Sequence, residues 1–191
     1  MLQQNPKREF RTRMKQMRAA ESETERLLQH QKISGPVLGE MAYQQAKTIF
    51  CYCSSGDEID TYAVLLDALA QGKRVCVPKT CGRGVMQARM IRCLAQLCPG
   101  NYGISEPEDC CPVVSPEEID LCIVPCLAAD CRGYRLGYGG GYYDRFLPQT
   151  SAAKMLLCEQ SRVFDEIPVE EHDIPCDILI TESQVIYPHE K

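Results

Sequence analysis

Long apolar runs are missing from this chain. None approaches the ~20 residues that a membrane span requires, and the opening residues MLQQNPKREF lack the apolar core of an export signal. The expectation is a cytoplasmic protein with no membrane partner. An excess of positive charge is missing too: the formal net charge is −5, which argues against a general nucleic-acid binder. Metal motifs are absent despite 13 cysteines. No two cysteines stand at C-x-x-C spacing, and Cys51/Cys53, Cys93/Cys98, Cys110/Cys111 and Cys122/Cys126/Cys131 fit no zinc template. His30, His172 and His189 are not spaced as ligands either. Without an export signal, the odd cysteine count points to reduced thiols. Cys51, Cys76, Cys122 and Cys158 lie in apolar, strand-like runs and read as small hydrophobes. No Ser–His or Cys–His nucleophile pair is visible.

What is present is enough for one domain over residues 1–191, with 45% apolar content and a real core. Helical periodicity covers Pro6–Ala20, with Phe10, Met14 and Met17 as its apolar stripe. The capping-box sequence Ser22–Glu25 starts a second helix, which Gly35–Pro36 should break or kink. Met41–Ala46 predicts a short helical piece, and a further helix carries Val64, Leu65, Ala68 and Leu69 inward before Gly72. Strands are predicted at Thr48–Cys53, Arg74–Val77 (closed by Pro78), Val85–Ile91, Ile119–Val124, Lys154–Cys158 and, last, Asp177–Thr181. Leu97–Pro116 reads as an ordered loop region. Ile119–Val124 is apolar apart from Asp120, the pattern of a central parallel strand covered on both faces. Strands alternating with helices predict an α/β fold: a three-layer, Rossmann-like α/β/α arrangement on a mostly parallel sheet. Ligands of such sheets bind at the carboxyl ends of the strands, where Ser54–Asp60, Cys126–Asp144 and Val163–Asp173 should converge.

The densest chemical signal is Arg135–Asp144, RLGYGGGYYD, with glycines at 137, 139, 140 and 141. Glycines leading into a helix start make a cradle of N–H groups suited to phosphate. The run fits neither G-x-G-x-x-G nor a P-loop, because no Gly-Lys-Ser/Thr follows. Asp144 directly after it reads either as a Mg²⁺ ligand working through phosphates or as a charge at a helix N-terminus. A second signal is basic. Six of the 21 Lys and Arg fall within Lys7–Arg18, against one acid, Glu9, and Lys7, Arg11, Lys15 and Arg18 share a helix face. That face is either solvated or an anion clamp.

Taken in order, the motifs resemble the 5-formyltetrahydrofolate cyclo-ligase (5,10-methenyltetrahydrofolate synthetase) family along nearly the whole chain. The most specific is RLGYGGGYYDRFL, Arg135–Leu147. With it come Lys7 and Arg11 as K-x-x-x-R, DEIDT at Asp57–Thr61, GKRVCVPK at Gly72–Lys79, YGISEP at Tyr102–Pro107, IDLCIVPCLAAD at Ile119–Asp130 and EHDIPCDILITE at Glu171–Glu182. The resemblance implies an enzyme that converts 5-formyltetrahydrofolate and ATP to 5,10-methenyltetrahydrofolate, ADP and phosphate with Mg²⁺, needing no nucleic acid and expected to be a monomer. It implies ATP contacts from Lys7, Arg8, Arg11, Arg135, Leu136, Gly137, Tyr138, Gly139, Gly140, Gly141, Tyr142 and Tyr143. It implies folate contacts from Cys53, Glu58, Tyr138, Gly139, Gly140, Gly141 and Tyr142, with Glu58 bonding the pterin ring. Asp144 and Asp173 are implied for Mg²⁺, and Lys7, Arg135 and Tyr142 for the chemistry.

Two positions depart from the family pattern: Cys126 replaces a usual Gly and Ala129 a usual Phe before Asp130. Both bear on the pocket wall and leave the phosphate residues untouched. A non-catalytic nucleotide-binding module and an isomerase-like or CoA-transferase-like enzyme are the competing readings. The first should have lost one of Lys7, Arg11, Glu58, Asp144 and Asp173, and all five are present. The second should carry an acid/base pair and need no ATP.

Overall fold

The computed structural model describes residues 5–189, with the backbone alone at Tyr102. Helix α1 spans Pro6–Ala20; the Asn5 side chain accepts the Arg8 N–H at its start and Pro6 occupies the first turn. Helix α2 spans Glu23–Gly39. Ser22 Oγ accepts the Glu25 N–H at 3.3 Å, and its hydroxyl donates to the Glu25 carboxylate at 2.6 Å. The helix is not broken at Gly35–Pro36; it runs through Pro36 to Gly39. Ile33 and Val37, one turn apart and fully buried, hold both sides of the proline against the core, which offsets the missing N–H. Helix α3, Met41–Gln45, is capped by Lys73, whose Nζ donates to the carbonyls of Tyr43, Gln44 and Ala46.

The strands are β1 (Thr48–Cys51), β2 (Arg74–Gly82), β3 (Val85–Ile91), β4 (Leu97–Pro99), β5 (Ser105–Pro107), β6 (Val113–Val114), β7 (Leu121–Val124), β8 (Ala128–Asp130), β9 (Arg135–Leu136), β10 (Ala153–Leu157), β11 (Val163–Phe164), β12 (Ile178–Ile180) and β13 (Val185–Ile186); α4 is Tyr62–Ala70 and α5 is Tyr142–Phe146. The main sheet has the order β13-β12-β10-β7-β1-β2-β3-β6. From β12 to β2 every pairing is parallel, and antiparallel pairings occur only towards the two edges. Three strand expectations need correction. Pro78 does not close β2, because pairing with β1 ends at Cys76 and a residue lacking an N–H is tolerated on the side then left free. The Leu97–Pro116 region contains the β4–β5 pair and β6, and β13 follows the strand expected to be last.

Side chains alternate strictly across the parallel strands. Ile49, Cys51, Val75, Leu121, Ile123, Met155, Leu157, Ile178 and Ile180 face α2, α3 and α4; Phe50, Cys76, Cys122, Val124, Leu156 and Leu179 face Phe146 and Leu147 at the end of α5. The three layers are therefore unequal. The second face is covered by the one-turn helix α5 and flanking loops, pinned by Phe50 stacked on Phe146 at 4.6 Å. Helix α1 packs instead on the small β11-β8-β9 sheet through Met14. Eight of the thirteen cysteines are buried and all are free. Burial pushes the Cys76 and Cys122 thiols up to about 12, as fits core residues rather than reactive ones. Among the described residues no helix is long and apolar enough to cross a membrane.

A polar cluster is buried between α1, α2 and the turn after β10. It contains Arg18, His30, Glu159 and Arg162, none more than 3% exposed. Burial, then the charges of Arg18, Arg26 and Arg162, push His30 down to about 4, so it is neutral, and its Nε2 lies 3.3 Å from Glu159. Unfolded, the same imidazole takes its proton near 6.5. The unfolded state therefore binds the proton first as pH falls, and stability is lost between the two values. The expected loss at a pH of about 5.5 is about 1 kcal/mol. His30→Gln should remove that part of the acid slope of the melting temperature; an unaltered slope would contradict a neutral His30.

Candidate active site

Strand β1 has β2 on one side and β7 on the other, and the chain leaves in opposite directions from it. A crevice forms at the carboxyl ends of strands at such a switch point. Here it is a pocket of about 700 Å³, within the usual range for small-molecule sites. The glycine-rich stretch reaches it by a detour. After β7 the chain makes the β8–β9 hairpin, and the Leu127 N–H donates to the Leu136 carbonyl at 2.7 Å. The hairpin returns Gly137 to the end of the central strand it left at Pro125.

One end of the pocket is charged. Lys7, 5% exposed, donates from Nζ to Asp173 Oδ1 at 2.7 Å and to Glu170 Oε2 at 3.0 Å. Arg11 Nε donates to the Gly137 carbonyl at 2.9 Å, so α1 is latched directly onto the glycine loop. Arg135 is held by two acceptors, Asp144 Oδ1 at 2.6 Å and the Ile174 carbonyl at 2.7 Å. Three cations thus line one cavity with carboxylates already neutralising two of them. Such a set can take up a polyanion by exchanging partners at modest electrostatic cost.

The loop is shaped by two glycines in particular. At Gly140 an added Cβ would stand 2.7 Å from the Tyr142 ring, so any side chain there displaces that ring. Gly141 caps α5 with φ +66°, a left-handed conformation that L side chains rarely adopt. Arg145 Nη1 braces the turn by donating to the carbonyls of Gly140 and Gly141 at 3.1 and 3.0 Å. Tyr143 lines the pocket with its hydroxyl buried and without a hydrogen-bond partner.

The rest of the lining mixes apolar and acidic groups. Pro78, Met86 and Ile104 line it with Tyr52, Cys53, Asp57, Glu58 and Glu106. Glu58 Oε2 accepts the Ser55 N–H at 3.0 Å. Burial pushes the Glu58 carboxyl up, against the downward pull of that bond, the Arg18 charge and a hydrogen bond from Tyr138. Burial also pushes the Cys53 thiol up to about 12, so Cys53 is a wall and not a nucleophile.

The donor set suits a hard divalent cation. Asp144, Asp173 and Glu170 offer carboxylate oxygens to the same cavity, and ligand atoms of Glu170, His172 and Asp173 lie within 4.8 Å of one another. Mg²⁺ typically takes one or two carboxylates and completes its shell with phosphate and water. The cations Lys7 and Arg135 now paired with these acids would have to shift towards phosphate.

Of the residues singled out in the sequence, Lys7, Arg11, Cys53, Glu58, Arg135, Leu136, Gly137, Tyr138, Gly139, Gly140, Gly141, Tyr142, Tyr143, Asp144 and Asp173 all line this pocket. Arg8 does not: it is exposed, and its backbone N–H serves the Asn5 cap. Helical spacing explains this, since Arg8 follows the inward Lys7 by only 100° of turn. Asp130 is fully buried and accepts from the backbone of Arg132, Tyr134 and Ile167, so it shapes a turn. Sequence reasoning missed Thr80, Met86, Ile104 and Glu106, which come from β2–β3 and the β4–β5 region. The YGISEP motif was the available signal for the last two. Cys126 is buried behind the site with its Sγ donating to the Leu157 carbonyl at 3.2 Å.

Comparison with known proteins gives the family. The family model described as the 5-formyltetrahydrofolate cyclo-ligase family matches residues 3–182. A probable 5-formyltetrahydrofolate cyclo-ligase of Caenorhabditis elegans is 30% identical over 195 residues, covering 94% of each chain. A 5-formyltetrahydrofolate cyclo-ligase of Mus musculus is 29% identical over 190 residues, covering 93% of this chain and 94% of its own. The solved 5,10-methenyltetrahydrofolate synthetase of Aquifex aeolicus superposes with a TM-score of 0.88 at 31% identity, covering 98% of this chain and 95% of that one. A match that spans the basic helix, the Glu58 loop, the glycine stretch and the acidic segment together leaves one assignment: the chain belongs to the 5-formyltetrahydrofolate cyclo-ligase family.

Proposed function

We propose that the chain converts 5-formyltetrahydrofolate to 5,10-methenyltetrahydrofolate at the expense of ATP, releasing ADP and phosphate. The observation that carries the reading is one pocket lined by two kinds of group. Lys7, Arg11 and Arg135 around the glycine loop suit a triphosphate, and Glu58 with the apolar Pro78, Met86 and Ile104 suits a flat heterocycle rich in N–H donors. Family membership supplies the substrate pair.

The chemistry requires little of the protein beyond placement and charge. A formyl group on nitrogen is amide-like and a poor electrophile. Transfer of the γ-phosphoryl group to the formyl oxygen releases ADP and makes phosphate the leaving group. The folate N10 then attacks the formyl carbon, loses its proton, and the ring closes as the C–O bond to phosphate breaks. Lys7, Arg11 and Arg135 hold the phosphates and offset charge on the oxygens; the Gly137–Gly141 backbone admits phosphate on one side and the formyl group on the other. Tyr142, whose ring packs on Gly140, stands beside the formyl group, and Glu58 with Cys53 and Tyr138 fixes the pterin. Mg²⁺, held by Asp144 and Asp173, supplies charge neutralisation when bound. No protein nucleophile takes part, in keeping with the sequence.

The product absorbs in the near ultraviolet where the formyl substrate does not. Incubation with 5-formyltetrahydrofolate, ATP and Mg²⁺ is expected to raise that absorbance, and omission of ATP to abolish the rise. Folded protein that gives no rise with all components present overturns the reading.

A further inference from the structure

Arg18 is the most deeply buried of the six basic residues in α1, at 1% exposure, and it does not line the pocket. A guanidinium so placed is costly unless acceptors surround it. On the inner side Arg18 Nη2 donates to the Cys126 carbonyl at 3.2 Å and lies 3.6 Å from Glu159, which is itself gripped by Arg162. On the pocket side Nη1 donates to the Tyr138 hydroxyl at 2.7 Å and lies 3.6 Å from Asp57. Tyr138 is 43% exposed, yet α1 fixes it at both ends, since Lys15 Nζ stands 5.9 Å from its ring centre. With its oxygen accepting from Arg18, the hydroxyl is left to donate, and Tyr138 lines the same pocket as Glu58.

We propose that Arg18 is a positioning residue for the folate end of the site, acting through a relay in which its guanidinium orients the Tyr138 hydroxyl and that hydroxyl, in the pocket lining, donates to the bound folate. The proposal rests on the functional reading above. The same helix then serves both substrates: its first turns, through Lys7 and Arg11, face phosphate, and its last turn sets the Tyr138 hydroxyl from behind. Hydrogen bonds in series polarise one another, and a charge at the head of the chain strengthens the links after it. Lysine cannot replace this arginine, because one ammonium on a flexible stem does not span the Cys126 carbonyl and the Tyr138 hydroxyl as the planar fork does.

The test is calorimetric titration of 5-formyltetrahydrofolate, and separately of ATP with Mg²⁺, into wild type, Arg18→Lys, Tyr138→Phe and the double variant. Each single variant is expected to weaken folate binding about tenfold and to leave ATP binding within about twofold. The double variant is expected to be no worse than either single one, because both cut the same relay. A purely structural Arg18 would lower the melting temperature and weaken both ligands alike, and that outcome overturns the proposal, as do additive losses or unchanged folate binding. If Arg18→Lys does not fold, Tyr138→Phe decides by itself, since its ring is half exposed and only the hydroxyl is lost. Wild type that binds ATP and no folate refutes the functional reading, and the relay with it; wild type that binds folate as its variants do refutes the relay alone.

Discussion

Lys7→Ala is expected to lower kcat/KM for ATP by about a thousandfold, the upper end for removing one charged group from a phosphate clamp. Two effects combine. The ammonium at 2.7 Å from Asp173 and 3.0 Å from Glu170 is lost as a phosphate donor. The two carboxylates are then left without their counter-charge, facing a triphosphate of the same sign. The second effect is absent when a lysine stands alone, so the loss should exceed that of Arg11→Ala, whose partner is the neutral Gly137 carbonyl. Lys7→Arg restores charge but sets a planar fork where a point charge sits between two acids, and is expected to recover activity only in part. Kinetics with ATP varied at saturating folate, and the reverse, separate the effects. An unchanged KM for ATP in Lys7→Ala would refute the assignment, and a matching rise in KM for folate would refute the division of the pocket.

Most of the fold is legible because the chain is locally consistent. The apolar run ending at Val124 is covered on both faces and becomes the middle of the sheet, and the Ser22–Glu25 pattern becomes an N-cap. The misreadings share one cause: a local rule was applied where tertiary context overrode it. Pro78 ends a strand only if both sides of that strand are paired, and β2 outruns β1 by several residues. Pro36 breaks a helix only if packing does not secure its flanks, as Ile33 and Val37 do.

The site follows the same division. Lys7 and the glycine stretch carry their chemistry in local spacing, whereas Glu58 was visible only through the family resemblance of its DEIDT motif. Asp144 was visible as an acid, but its pairing with Arg135 depends on the course of the Gly137–Gly141 loop between them, which no local pattern states. Thr80 and Met86 reach the pocket only because they stand on the β2–β3 ribbon beside the crevice, and Glu106 of β5 is bonded there to Thr80. Arg18 reads in the sequence as part of a basic face. Its burial was readable in principle, since it stands four residues after the fully buried Met14 and so shares its side of the helix.

Glu58→Ala is expected to raise KM for 5-formyltetrahydrofolate by about a hundredfold, the loss of one or two charge-assisted hydrogen bonds in a dry pocket. KM for ATP should stay within about threefold, because the adjacent Asp57 lies 3.6 Å from Arg18 in the last turn of α1, whereas Lys7 stands in its first turn. Glu58→Gln is the sharper variant. It keeps the volume and one acceptor but turns an N–H₂ towards ring N–H donors, so it should be nearly as damaging as alanine. The carboxyl also carries a pH signature. Burial holds its pKa above the ordinary value, so the neutral acid persists to less acidic pH than for a free glutamate. Folate affinity should therefore fall as pH drops through that raised pKa, and Glu58→Gln should lose this acid limb while ATP affinity keeps its own pH profile. A glutamine variant that retains the acid limb would place the titrating group elsewhere, and one that binds folate like wild type would remove Glu58 from the pterin altogether.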